Sequence, residues 1–90
     1  MTVERGEYTI ANRLGLHARA AAQLVKVANG FAADITLIKD DINVNAKSIM
    51  GILMLAAPKG SRVTVVVEGD DAKDALEAVG ELINDGFGED

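Results

Sequence analysis

The chain has no cysteine and no tryptophan, one proline and one histidine, and aromatic residues make up only 3% of it. Without cysteine there is no disulfide framework, no thiolate nucleophile and no thiolate-ligated zinc or iron–sulfur centre, and no metal site is expected. The shortage of aromatics leaves a core of Ala, Val, Ile, Leu and Met, and it removes the exposed rings on which an RNA-binding sheet stacks bases. Nine basic residues stand against fourteen acidic ones for a net charge of −5, and the basic ones form no stripe. Nucleic acid is therefore not an expected partner, because counterion release needs several phosphates neutralised together. No stretch approaches the ~18 apolar residues of a membrane span. Met1–Glu7 carries charges where a signal peptide needs an apolar run, so the expectation is a cytoplasmic protein without membrane insertion. A second histidine and a Gly-rich nucleotide loop are also missing, so nothing supplies nucleophile, base and substrate pocket together, and a self-sufficient enzyme is not expected.

What remains is 90 residues, 49% of them hydrophobic. A chain of that length buries on the order of 60% of its unfolded surface, enough for one domain over residues 1–90 without staples. Glu7–Ala11 reads as a short first strand. Ala18, Ala21, Ala22, Val25 and Ala28 recur at helical spacing up to a stop at Gly30. Asp34–Lys39 and Ile42–Asn45 read as antiparallel strands joined by a tight Asp40-Asp41 turn. Ser48 can cap a brief helix from Ile49 to about Leu55, weakened by Gly51. Arg62–Glu68 is dense in β-branched residues and reads as a central strand. Ala72, Ala75, Leu76, Val79 and Ile83 mark a last helix, with Lys73, Asp74, Glu77 and Glu81 toward solvent. Asn84–Asp90 reads as a helix stop and solvated end. The order β-α-β-β-α-β-α makes an α+β protein, a four-stranded antiparallel sheet with three helices on one face.

The one histidine sits where a glycine-containing loop, Leu14-Gly15-Leu16, gives way to the Ala-rich helix. A helix start offers unpaired N–H groups, here those of Ala18 and Arg19, and the positive end of the dipole. Arg19, two residues on, carries a guanidinium whose fork suits phosphate oxygens. Both influences favour a neutral ring with an available lone pair. Nucleophile, N–H donors and cation converge on one anion-binding point, and phosphate is the expected anion.

Gly15-Leu16-His17-Ala18-Arg19 resembles the signature around the phosphorylated histidine of the HPr family, the histidine-containing phosphocarriers of the bacterial phosphoenolpyruvate-dependent phosphotransferase system. Asn45-Ala46-Lys47-Ser48-Ile49-Met50-Gly51 resembles the regulatory-serine segment of the same family, at the expected separation. The resemblance implies an open-faced β-sandwich formed by one HPr domain. It implies that His17 takes a phosphoryl group on Nδ1 from phosphorylated Enzyme I and passes it to IIA-type acceptors of the sugar phosphotransferase system, with Arg19 steadying the phosphate. No cofactor is expected beyond the phosphoryl group carried on His17, and a monomer is the expected state. Ala20 stands where the family usually has proline, which bears on the stiffness of the first helical turn.

The resemblance also implies Ser48 as a target of HPr kinase/phosphorylase in bacteria that possess it. A phosphate there adds about −1.5 to −2 charges at a helix start. Ala18, Gln23 and Lys26 of the first helix, with Ile49, Met50 and Leu53 of the second, match the family's docking positions. The apolar members have core packing as the competing reading, yet the short helix carries more apolar residues than one buried stripe requires. Two further readings stand beside the sugar-branch carrier. The closing Asn84–Asp90 resembles the end of NPr, the nitrogen-branch relative, and an HPr-type regulatory binding protein could use Ser48 as its switch. A small α/β binding domain of unrelated kind is the least specific alternative.

Overall fold

The computed structural model describes residues 2–89. Its elements are β1 (Thr2–Thr9), α1 (Ala18–Ala28), β2 (Asp34–Lys39), β3 (Ile42–Asn45), α2 (Ile49–Met54), β4 (Arg62–Gly69) and α3 (Ala72–Asn84). The four strands form one antiparallel sheet in the order β1-β4-β2-β3. The β-branched run thus lies between β1 and β2, where both edges of its backbone are paired.

Alternation sets the faces. Val63, Val65 and Val67 of β4 and Ile35 and Leu37 of β2 are buried, while Thr64, Val66, Thr36 and Ile38 are only half-buried on the opposite face. The buried set joins Ala20, Ala21, Leu24 and Ala28 of α1, Ile52 of α2, and Ala72, Ala75, Val79 and Ile83 of α3 in one core. Helices therefore cover one side of the sheet and leave the other open. Between β2 and β3 the chain turns through Asp40 at φ 55°, a left-handed position that aspartate tolerates.

Three expectations change. The first strand begins at Thr2 and ends at Thr9, instead of spanning Glu7–Ala11. It pairs with β4 along its whole length, from Thr2 opposite Gly69 to Thr9 opposite Arg62, and its charges sit on an edge strand that solvent reaches. In α1 the buried stripe is Ala20, Ala21, Leu24 and Ala28; Ala18 and Ala22 are exposed and Val25 is half-buried. Leu24 sets that face, because it is the largest apolar side chain able to reach the sheet. The third change concerns the residues after α3, which fold back and are not a solvated end; Asp90 lies outside the described residues.

Gly86, Phe87 and Gly88 take φ of 63°, 58° and 73°, one left-handed turn closed by Gly88 N–H to Asp85 C=O at 3.2 Å and Glu89 N–H to Gly86 C=O at 3.0 Å. For Phe87 that conformation costs about 1–2 kcal/mol. Its ring is buried to 1% exposure in the core, and burial of such a side chain contributes about 1.5–3 kcal/mol, which offsets the strain. Phenylalanine thus anchors the turn, and the turn delivers Glu89 to the start of α1. No helix among the described residues is long and apolar enough to cross a membrane.

Candidate functional site

The loop before α1 is shaped by Gly15. Its φ of 66° lies in the left-handed region, and a Cβ there would run into the Ala57 carbonyl and the Pro58 backbone. Leu16 N–H donates to that same Ala57 carbonyl at 2.9 Å, and Leu16 is buried. The chain enters α1 from a fixed point, with His17 as N-cap at φ −76°, ψ 179°.

The His17 side chain makes no capping bond. The first intrahelical bond runs from Ala21 N–H to His17 C=O at 2.8 Å, so the N–H groups of Ala18, Arg19 and Ala20 have no carbonyl one turn earlier. Ala20 N–H being one of these, a proline at that position would break no helical bond, and the alanine leaves a third donor in the first turn.

The imidazole is engaged elsewhere. Its Nε2 lies 2.8 and 3.0 Å from the two carboxylate oxygens of Glu89. Asn12 Nδ2 donates to Glu89 Oε1 at 3.0 Å and to Gly15 C=O at 2.7 Å, which ties the loop to the same carboxylate. Two acceptors facing Nδ2 fix the orientation of the Asn12 amide, whose buried Oδ1 finds no donor among the described residues. Arg19 Nε lies 3.5 Å from Glu89 Oε2, with the Arg19 side chain 70% exposed. The hydrogen bonds from His17 and then Asn12 hold the Glu89 carboxyl below the usual carboxylate range, with the charges of His17 and Arg19 adding to them and burial opposing them. Beside this cluster an open pocket of about 320 Å³ is lined by Arg13, Leu14, Arg19, Gly88 and Glu89.

An ionised carboxylate only accepts hydrogen bonds. The contact to Glu89 therefore puts the ring proton on Nε2, and in the neutral ring the lone pair stands on Nδ1. His17 and Arg19, singled out from sequence, come together on one anion. Glu89 and Asn12 were not singled out. For Asn12 the signal was a short polar residue ending a strand, and for Glu89 it was an aromatic between two glycines after a helix.

Ser48 begins a separate helix start. Asn45 Oδ1 accepts from Lys47 N–H at 2.8 Å, Lys47 Nζ donates to Phe31 C=O at 2.8 Å, and Ser48 Oγ accepts from Gly51 N–H at 3.1 Å. Ser48 is thus the cap of α2. The equivalent position of α3, Asp71, does not cap with its side chain; its carboxylate instead accepts from Ala32 and Ala33 N–H, both at 2.9 Å, and is held below the usual range by those bonds. Around Ser48, α2 buries Ile52 and exposes Ile49, Met50 and Leu53, with Met54 at 71% exposure beside them. Ala18 and Lys26 of α1 are exposed and Gln23 half-buried. Among the described residues no group of three or more His, Cys, Asp or Glu could hold a metal ion.

The family model described as the PTS HPr component phosphorylation site matches residues 4–85, nearly the whole chain. The chain belongs to the HPr family. Its similarity to the phosphocarrier protein HPr of Xylella fastidiosa is 45% identity, over 93% of this chain and 94% of that one. The phosphocarrier protein NPr of Shewanella violacea is 40% identical over 99% of this chain and 98% of its own. Among solved structures, HPr-C-His from Thermoanaerobacter tengcongensis superposes with a TM-score of 0.93 at 44% identity, covering 97% and 98% of the two chains. HPr proteins are phosphocarrier components of the phosphotransferase system, and the open-faced sheet with helices on one side is the HPr fold.

Proposed function

We propose that this chain, as one HPr domain over residues 1–90, carries a phosphoryl group on Nδ1 of His17, accepting it from phosphorylated Enzyme I and handing it to a IIA-type acceptor. The observation that carries this is the geometry at His17: a ring at a helix start its side chain does not cap, with Nε2 against the Glu89 carboxylate and no partner for Nδ1 among the described residues. The N–H groups of Ala18 and Arg19 would receive phosphate oxygens. The exposed Arg19 guanidinium would exchange its 3.5 Å contact with Glu89 for a phosphoryl group. Protonated at Nε2, phosphoimidazole keeps a competent leaving group, which makes onward transfer reversible.

Docking is assigned to Ile49, Met50 and Leu53 with Ala18, Gln23 and Lys26. The exposure of the first three is what one face shared among successive partners needs, and methionine adapts to several surfaces. Phosphorylation of Ser48 by an HPr kinase would replace its bond to Gly51 N–H and set negative charge beside that apolar face, weakening docking. The sugar branch is favoured by the segment Lys47–Gly51. The match to NPr along the full chain supports the nitrogen branch as a second reading.

The test is mass spectrometry at neutral pH after incubation with Enzyme I, phosphoenolpyruvate and Mg²⁺, with sugar-branch and nitrogen-branch Enzyme I in parallel. An acid-labile phosphoryl adduct is expected, absent in His17→Ala, and the faster donor names the branch. A folded protein that takes no phosphoryl group from either donor would leave the Ser48-switched binding protein as the reading.

A further inference from the structure

The carboxylate of Glu89 is held too deliberately to be a chance contact of a chain end. Three parts of the molecule converge on it: the ring of His17 from the start of α1, the amide of buried Asn12 from the end of the β1 loop, and the turn anchored by Phe87 that brings Glu89 there. Asn12 is itself fixed by its 2.7 Å bond to Gly15 C=O, so the carboxylate is held in place, and of the two ring nitrogens of His17 it faces Nε2. No hydrogen-bond partner for Nδ1 is found among the described residues.

A neutral imidazole has two tautomers, and only one leaves a lone pair on Nδ1. We infer that Glu89 is a positioning residue for phosphoryl acceptance, holding the His17 proton on Nε2 so that Nδ1 is the nucleophile in nearly every molecule. This rests on the reading of His17 as the acceptor. The transfer then balances without moving a proton. The Nδ1 lone pair forms the new N–P bond, and the electron pair of the bond that breaks returns to the donor atom of Enzyme I that carried the phosphoryl group. The ring of His17 keeps its Nε2 proton and becomes positively charged. That charge develops 2.8 Å from the Glu89 carboxylate, which offsets it, and the same pairing keeps the ring ready to leave in the onward step.

The alternative is a purely structural tie between the segment after α3 and the loop. Removing Glu89 would then change stability but not the ring. Two measurements separate the readings: the ring ¹⁵N shifts of His17 in its neutral form, which report the tautomer directly, and the single-turnover rate of phosphoryl acceptance from phosphorylated Enzyme I. In the wild type the Nε2–H form should dominate. In Glu89→Ala the ring should become a mixture, and acceptance should slow by about tenfold or more, by analogy with a metal-ligating imidazole that loses the partner on its other nitrogen. Affinity for Enzyme I should stay unchanged. A wild-type tautomer ratio or a wild-type acceptance rate in Glu89→Ala would overturn the inference. Glu89→Gln fills the same space without the charge, and acceptance at the wild-type rate in it would also overturn the role given to the carboxylate. If instead the wild type takes up no phosphoryl group that His17→Ala abolishes, the acceptor reading fails, while the tautomer measurement still reports whether Glu89 orders the ring.

Discussion

Two helices of this protein start in opposite ways. At α1 the N-cap side chain, His17, turns away from the free N–H groups and toward a carboxylate from the far end of the chain. At α2 the N-cap side chain, Ser48, turns inward and satisfies Gly51 N–H itself. The difference lies in how each start is kept in order. α2 is closed by its own sequence, within four residues, so its cap survives as long as the local turn does. α1 leaves its first donors without a capping side chain and is tied instead to a residue 72 positions away. A site that receives and releases an anion, the role proposed for this one, cannot be filled by a permanent cap.

The comparison breaks most severely at Phe87. With its ring buried and its backbone in the left-handed region, it is the anchor on which the reach of Glu89 depends. Phe87→Ala is expected to cost about 3–5 kcal/mol, the usual range for emptying a buried aromatic site, read by denaturant unfolding. The Asn12 side-chain amide resonances should shift toward those of Glu89→Ala, because the carboxylate loses its position. Asn12 resonances that stay at their wild-type position in Phe87→Ala would show that Glu89 is held by its polar partners alone. The two helix starts would then be less different than the contacts suggest.

Ser48→Ala makes the second start resemble the first, and the effect should be smaller. Loss of an N-cap hydroxyl costs about 1 kcal/mol, and a helix of only six residues has few other bonds to share the loss. Amide exchange at Gly51 and Ile52 should accelerate while exchange in α1 stays as it was. A stability equal to wild type would mean that packing of Ile52 and Leu55 holds α2 without its cap.

Why one start was legible from sequence and the other only in part follows from the same contrast. The cap of α2 is local: a serine before an apolar run is its full signal, and the structure adds only the distance to Gly51. The strands β2, β3 and β4 were readable for the same reason, since alternation and β-branched density are properties of neighbours. His17 and Arg19 were identifiable by their place before an Ala-rich helix and by likeness to a known signature. Glu89 was not, because its role depends on a turn of three successive left-handed residues and on which buried surface Phe87 finds; neither is written in local spacing. β1 was underestimated on similar grounds. Glu4, Arg5 and Glu7 weaken its apolar pattern, and only pairing with β4 makes those residues a strand. In α1 the periodicity was right but its phase was wrong, since several faces of an Ala-rich helix look alike until the sheet selects Leu24.

The finest test of the contrast is acid. Hydrogen bonds from His17 and Asn12 hold the Glu89 carboxyl below its ordinary range, so the folded state binds that proton less readily than the unfolded chain does. Its contribution to stability is therefore complete above the ordinary glutamate range, near pH ~4.3, and is lost as pH falls through the depressed value. The closed start at α2 has no titrating group in its cap and should pass through the same interval unchanged. A carboxyl-detected titration is expected to find Glu89 ionising below the ordinary range, with the Asn12 side-chain amide moving in step and the Gly51 amide still. The Asp71 carboxylate at the start of α3, held low by Ala32 and Ala33 N–H of the loop after α1, titrates with the same sign but away from His17, so it serves as an internal control for acid effects unrelated to the site. If Glu89 titrated in the ordinary range and Asn12 did not follow it, the carboxylate would be resting on the site without being held there. The long-range ordering of the first helix start would then have to come from the Gly15 loop alone.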